Sequence, residues 1–214
     1  MKKITLFFLL IITSISLSFA QDNKQTTAPA GDDYLVTIST DLGNMVLILY
    51  DETPKHKENF IKLAQEGFYN GTTFHRIIDG FMIQGGDPNS KDKDPNNDGQ
   101  GGPGYTIPAE FNPSLKHNYG ALAAARLGGP QNPKKESSGS QFYIVENHDG
   151  SHFLDNEYTV YGQTIDGLDV VDKIAKQLKD NRDRPKTDIT MTVTVKKMKK
   201  QSISKMYGYT YPQK

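Results

Sequence analysis

The chain has no cysteine and no tryptophan. Without cysteine there is no disulfide, no thiolate nucleophile, no cysteine zinc site and no lipid carried on sulfur, so a lipoprotein is excluded. Net charge is also missing, since 25 Lys+Arg balance 25 Asp+Glu over 214 residues. A dedicated nucleic-acid binder would need a basic excess. There is no apolar run of the ~20 residues that span a bilayer. No internal repeat of fixed period is present either. What is there is 36% hydrophobic and 10% aromatic residues, enough for one core in one domain with tails.

The front of the chain reads as an address. Lys2 and Lys3 form a positive start, Ile4 to Ile12 is nearly all apolar, and Thr13 to Ser18 is smaller and richer in hydroxyls. Ser18-Phe19-Ala20 places small residues at the −3 and −1 positions of a cut before Gln21. This is the pattern of a cleaved secretory signal over residues 1–20, expected in a bacterial chain sent to the periplasm or secreted, with no stable membrane anchor after cleavage. Gln21 to Asp33 is polar and aperiodic and is expected to be a flexible leader.

From Tyr34 the pattern changes. Leu35–Ile38 and Met45–Leu49 are β-rich runs around the turn residues Asp41-Leu42-Gly43-Asn44, which predicts a hairpin. Thr53-Pro54 reads as an N-cap with proline at the first helical position. Phe60, Leu63 and Ala64 then give one amphipathic helix that stops at Gly67. Strands are expected over Thr73–Ile78, Met82–Gly85, Gly120–Ala125, Phe142–Val145 and Thr159–Gln163. A second helix is expected over about Gly167–Ala175, and a closing strand over Ile189–Met198. Many short strands and two helices favour a barrel or sandwich over a βαβ fold. The domain so outlined runs over 34–199, followed by a Tyr-rich tail over 200–214 that lies on it. Two long loops, Asp87–Gly104 and Arg126–Ser140, interrupt the strands and are of functional length.

The densest segment is Phe74-His75-Arg76-Ile77-Ile78-Asp79-Gly80-Phe81-Met82-Ile83-Gln84-Gly85-Gly86-Asp87. It sets one Arg and one Gln among aromatic, aliphatic and Met residues. A two-residue Asp79-Gly80 turn would send Arg76 and Gln84 to opposite faces. A three-residue Asp79-Gly80-Phe81 loop pairs Ile78 with Met82 and Arg76 with Gln84. That register is the expected one, and a one-residue slip would destroy the polar pair.

This segment resembles the central motif of the cyclophilin-type peptidyl-prolyl cis-trans isomerases. Thr53-Pro54 to Asn59-Phe60 resembles the family's first helix. Gly139-Ser140-Gln141-Phe142-Tyr143-Ile144 resembles its second motif, and Phe153-Leu154-Asp155 with Tyr158-Thr159-Val160-Tyr161-Gly162 its third. Order and spacing match from about Tyr34 to Met198. The resemblance implies a mainly β fold: a closed eight-stranded antiparallel barrel capped by two α-helices. It also implies a monomer acting on proline-containing polypeptides, with no cofactor, no metal and no nucleic acid.

Rotation about an X–Pro bond breaks amide resonance, against a barrier of roughly 18–20 kcal/mol, and takes about 10–100 s uncatalysed. In the twisted state the proline nitrogen regains a lone pair, so a fixed N–H donor aimed at it binds the transition state better than the ground state. Arg76 is the candidate donor. The resemblance makes Phe81, Met82, Tyr143 and Leu154 the proline pocket. Gln84 would hold the substrate carbonyl side and fix Arg76. Ala125 would lie along the peptide groove, with Phe153 and Tyr158 at the rim. Departures from the family's common pattern are Tyr143 for Phe, Phe153 for Trp, Tyr158 for His, and Arg126 for Asn after Ala125. The Tyr143 hydroxyl needs a partner if it is buried.

Other chemistries have weaker signals. Asp94 to Gly99 begins like a calcium loop, but the twelfth position is Tyr105, not Glu. His148 and His152 are separated by Gly150 and Ser151, which disfavours a helical zinc pair. Ser137, Ser138 and Ser140 lack a convincing His–Asp set, and Gly101–Gly104 lacks the lysine of a phosphate loop. Three readings follow: an exported isomerase, a proline-peptide binding module or chaperone with little turnover, and a calcium-dependent adhesion domain. The intact Arg76 favours the first.

Overall fold

The computed structural model describes residues 30–212. The expected signal peptide and leader residues up to 29 lie outside the described residues. Strand β1 (Asp32–Thr40) forms a hairpin with β2 (Gly43–Leu49), as the alternating β-branched residues around a turn require. β1 begins within the expected leader. Asp33 is buried there and meets Lys57 of helix α1 (Pro54–Gln65) at 2.7 Å. After α1 come β3 (Phe74–Ile78), β4 (Met82–Gly85), the short β5 (Thr106–Ile107), β6 (Ala121–Ala124), the short β7 (Ser137–Ser138) and β8 (Phe142–Val145). The chain continues with β9 (Val160–Asp166), α2 (Leu168–Ala175), β10 (Thr192–Lys199) and α3 (Lys200–Tyr207).

Eight of these strands make one antiparallel sheet in the order β10-β1-β2-β9-β6-β8-β4-β3, while β5 pairs with β7 apart from it. The sheet is a curled half-barrel, which corrects the expected closed barrel. Its two ends meet at an isolated bridge between Thr73 and Thr190 and at a few backbone hydrogen bonds beside it, such as Phe74 N–H to the Ile189 carbonyl at 3.0 Å, without a continuous ladder. The physical reason lies at the free edge of β3. There the Ile77 N–H donates to the Asp183 carbonyl at 2.8 Å, and the Ile77 carbonyl accepts from Lys179 Nζ at 3.1 Å. A loop takes the backbone groups that a neighbouring strand would otherwise satisfy.

Alternation, broken in β3 between Phe74 and Arg76, sorts the side chains. Val36, Ile38, Leu47, Phe74, Ile83, Leu122, Phe142 and Ile144 point to one face and form the main core with Phe60 of α1 and Val171 and Ile174 of α2. Met82, Ala121, Ala123, Tyr143 and Val145 point to the opposite face of the same strands. The expected cap on α1 is replaced. Thr53 makes no side-chain cap bond, because its hydroxyl donates back to the Tyr50 carbonyl. The Glu110 carboxylate instead accepts the N–H groups of Lys55 and His56, at 3.1 and 3.0 Å, placing a negative charge at the positive helix end.

The third helix, α3, was not expected. Its Ile203 is fully buried against Leu35, Val46 and Ile48 on the outer face of the hairpin, with Tyr211 in the same cluster. Ile203→Ala is expected to cost about 2–5 kcal/mol. Urea unfolding checks this, and an unchanged midpoint would show that the tail adds nothing to the domain.

Candidate active site

β3 and β4 pair in the expected register, with Ile78 opposite Met82 and Arg76 opposite Gln84. The loop is three residues long, and Gly80 sits at φ +76°, where a side chain would be strained. β3 is irregular in a way that its residue pattern does not mark. The register shifts between Phe74 and Arg76, a bulge at His75. Two residues apart on a regular strand would share a face. The bulge lets Phe74 enter the core while Arg76 lies on the opposite face with Met82 and Gln84.

Arg76 is half-buried at the end of a polar chain. Its Nη1 makes a long hydrogen bond of 3.4 Å to Gln84 Oε1 and lies 4.0 Å from Met82 Sδ. Gln84 Nε2 donates to Gln141 Oε1 at 3.2 Å. Gln141 Nε2 donates to the carbonyls of Gly99 and Gly101, at 3.0 and 2.8 Å. The two carbonyls fix which end of the Gln141 amide faces Gln84, and Gln84 therefore turns its oxygen to the guanidinium. The Asp87–Gly104 loop is thus a support for this chain. Its acids are engaged internally or with neighbours: Asp94 accepts from Asn96, and Asp98 pairs with Arg184 at 2.7 Å.

Arg76, Phe81, Met82, Gln84, Ala125, Tyr143, Phe153, Leu154 and Tyr158 all line one cleft of about 330 Å³, together with Arg126. All nine expected residues therefore meet in one place. Met82, Ala125 and Tyr143 are buried, and Phe81, Leu154 and Tyr158 are half-buried around them. Phe153 stands 72% exposed and stacks on Phe81, centroids 5.7 Å apart. Tyr158 meets Tyr143 edge-on at 6.0 Å.

Sequence reasoning missed three supporting residues. Arg126 stacks over the Tyr158 ring at 4.4 Å, and its Nε donates to the Glu157 carbonyl at 3.0 Å. His117 and Asp155 supply the partner that the Tyr143 hydroxyl requires. His117 Nε2 lies 2.9 Å from that hydroxyl, and His117 Nδ1 lies 2.9 Å from Asp155 Oδ1. Burial raises the Asp155 carboxyl, but hydrogen bonds from the His117 backbone and ring, with Lys116, outweigh it and hold it down at about 2. As a carboxylate it only accepts, so His117 Nδ1–H donates to it and Nε2 accepts from Tyr143. The uncovered hydroxyl at residue 143 was the one signal in the sequence for this network.

A family model described as cyclophilin type peptidyl-prolyl cis-trans isomerase matches residues 35–196. A peptidyl-prolyl cis-trans isomerase of Synechococcus elongatus is 40% identical over 148 residues, covering 69% of this chain and 89% of its own. One of Helicobacter pylori is 42% identical over 143 residues, covering 64% and 78%. Among solved structures, a cyclophilin-type isomerase of Cryptosporidium parvum superposes with a TM-score of 0.68 at 30% identity, over 78% of this chain and 98% of that one. The same protein has also been solved in the presence of the dipeptide Ala-Pro. A half-barrel sheet with an arginine beside an apolar slot is thus met in a chain that belongs to the cyclophilin-type peptidyl-prolyl cis-trans isomerase family.

Two outcomes test the polar network. Tyr143→Phe keeps the ring but leaves buried His117 Nε2 without a donor, which is expected to cost about 1–3 kcal/mol in urea unfolding. Burial also holds the imidazoles of His56, His75 and His117 below the usual histidine value, against the pull of nearby carboxylates. The unfolded chain then takes up protons at a higher pH than the folded one. This part of the stability is complete above about pH 6.5 and is lost as pH falls through the lower folded values. A urea midpoint that stays level from pH 7.5 to about 5 would contradict it.

Proposed function

We propose that this chain catalyses cis–trans rotation of X–Pro bonds in exported polypeptides and so assists their folding in the periplasm or outside a bacterial cell. The single observation that carries the catalytic part is the Arg76 guanidinium, fixed through Gln84 and Gln141 at the side of the slot formed by Phe81, Met82, Tyr143 and Leu154. The proline ring enters the slot, and the apolar walls exclude water from its nitrogen. As the bond twists, an Arg76 N–H meets the lone pair that pyramidalisation creates. No covalent step and no proton transfer is needed. Gln84 holds the guanidinium and the substrate carbonyl side. Buried Ala125 leaves room for the substrate backbone, and Phe153 and Tyr158 flank the entrance.

The magnitudes set what Arg76 can do. A millisecond event needs roughly 10⁴-fold acceleration, or about 5.5 kcal/mol off the barrier. One charge-assisted hydrogen bond contributes about 1.5–3 kcal/mol. The rest falls to the slot, which holds the ring while the preceding carbonyl swings, and to the electrostatics of a water-excluded site. Arg76→Ala is expected to lower kcat/KM on a short prolyl peptide by roughly 10- to 150-fold, with peptide Kd little changed. Rates that match the uncatalysed one for both proteins would replace this reading with that of a proline-peptide binding module, and equal, catalysed rates would remove Arg76 as the donor.

Export is supported by Lys2-Lys3, the apolar run that follows, and Ser18-Phe19-Ala20. Among the described residues no helix is long and apolar enough to cross a membrane. N-terminal sequencing of protein recovered from fractionated cells is expected to begin at Gln21. A start at Met1 in the cytoplasmic fraction would overturn the export proposal and leave the catalytic one standing.

A further inference from the structure

Behind the Phe81 wall of the cleft lies a group of side chains that the isomerase reading leaves unused. Glu146 follows β8, His148 is two residues on, and Asp172 projects from α2. One donor atom from each lies within 4.8 Å of the other two. His148 Nε2 and Asp172 Oδ1 are hydrogen-bonded to each other at 3.2 Å.

Three further observations separate this group from an ordinary acidic surface. First, Glu146 is 2% exposed, and no Lys or Arg among the described residues pairs with it. One of its oxygens accepts the Gly80 N–H at 2.6 Å, a single neutral donor for a buried carboxylate, which is costly without a counter-charge. Second, Asp172 also lacks a cationic partner other than His148. The lysine next to it on α2, Lys173, is taken by Asp169 at 2.6 Å. Third, the donors are held in place. The His148 ring stacks on Tyr119 at 4.1 Å and 20°, and the Tyr119 hydroxyl donates to Asp172 Oδ1 at 2.8 Å, with the Leu168 carbonyl 3.1 Å away. These are the outer contacts that orient ligands at metal sites.

We propose that Glu146, His148 and Asp172 form a binding site for a divalent transition-metal ion of the zinc class. One imidazole and two carboxylates suit zinc and its neighbours rather than calcium, which takes six to eight oxygens. The three side chains leave one tetrahedral position for water. The ion supplies the positive charge that the buried Glu146 lacks. Through Gly80 it lies two bonded contacts from the pocket wall, since the Phe81 carbonyl accepts the backbone N–H groups of Glu146 and Asn147 at 2.9 and 3.2 Å. The site stands on its own geometry and does not depend on turnover.

Calorimetric titration of the purified metal-free protein with zinc is the test. One saturable site per chain is expected. His148→Ala and Asp172→Asn are each expected to weaken it by about tenfold or more, and His152→Ala, which removes the nearby exposed histidine, is expected to leave it unchanged. Glu146 is kept intact because it also holds Gly80. As a second readout, manganese added to the isotopically labelled protein is expected to broaden the amide signals of Gly80, Asn147, His148 and Asp172 before others. No saturable binding at millimolar zinc, binding undiminished in His148→Ala, or loss confined to His152→Ala would each overturn the proposal.

Discussion

The site depends on one irregularity in backbone pairing, the bulge at His75. Without it, Phe74 and Arg76 would point the same way, and either the core would receive a guanidinium or the cleft would lose it. A buried unpaired charge is far too costly for the first arrangement. With the bulge, Phe74 meets Phe142 edge-on in the core while Arg76 reaches across to Gln84. Every neighbouring strand then needs no adjustment: β4, β8 and β6 keep simple alternation, one face for packing and one for the cleft.

The guanidinium is positioned by hydrogen bonds that run away from the cleft into a loop. The Gly99 and Gly101 carbonyls orient Gln141, Gln141 orients Gln84, and Gln84 meets Arg76. Amide side chains suit this task because each has a donor end and an acceptor end, so one fixed amide fixes the next. A long, irregular loop therefore contributes to the site without lining it. On the opposite wall Asp155, His117 and Tyr143 do the same for an aromatic ring, which converts the burdensome buried hydroxyl into a fastening.

The half-open sheet follows from the same economy of backbone groups. The β3 edge is satisfied by the Lys179 and Asp183 region and, at Phe74, by the Ile189 carbonyl ahead of β10. The outer face of the β1–β2 hairpin is covered by α3, whose Ile203 completes a small cluster there. The tail so becomes part of the domain, and the cleft lies among the other strands, clear of it.

Much of this was legible in the chain itself, because local patterns with period two, turn residues and an ordered set of motifs carry their own constraints. The β3–β4 register followed from Gly80 and from the need to pair Arg76 with Gln84, and the nine residues of the cleft followed from resemblance. Long-range contacts were not legible. Glu110 caps a helix more than fifty positions away, His117 reaches Tyr143 across 26, and α3 offers a single buried residue that composition does not flag. Closure of the sheet was misjudged because a strand's sequence says which face is apolar, not whose N–H groups meet its edge. Local pattern thus determined which side chains could form a proline slot with a donor. Only the folded chain decided which distant partners hold them, since hydrogen bonds between remote loops leave no periodic trace in the sequence.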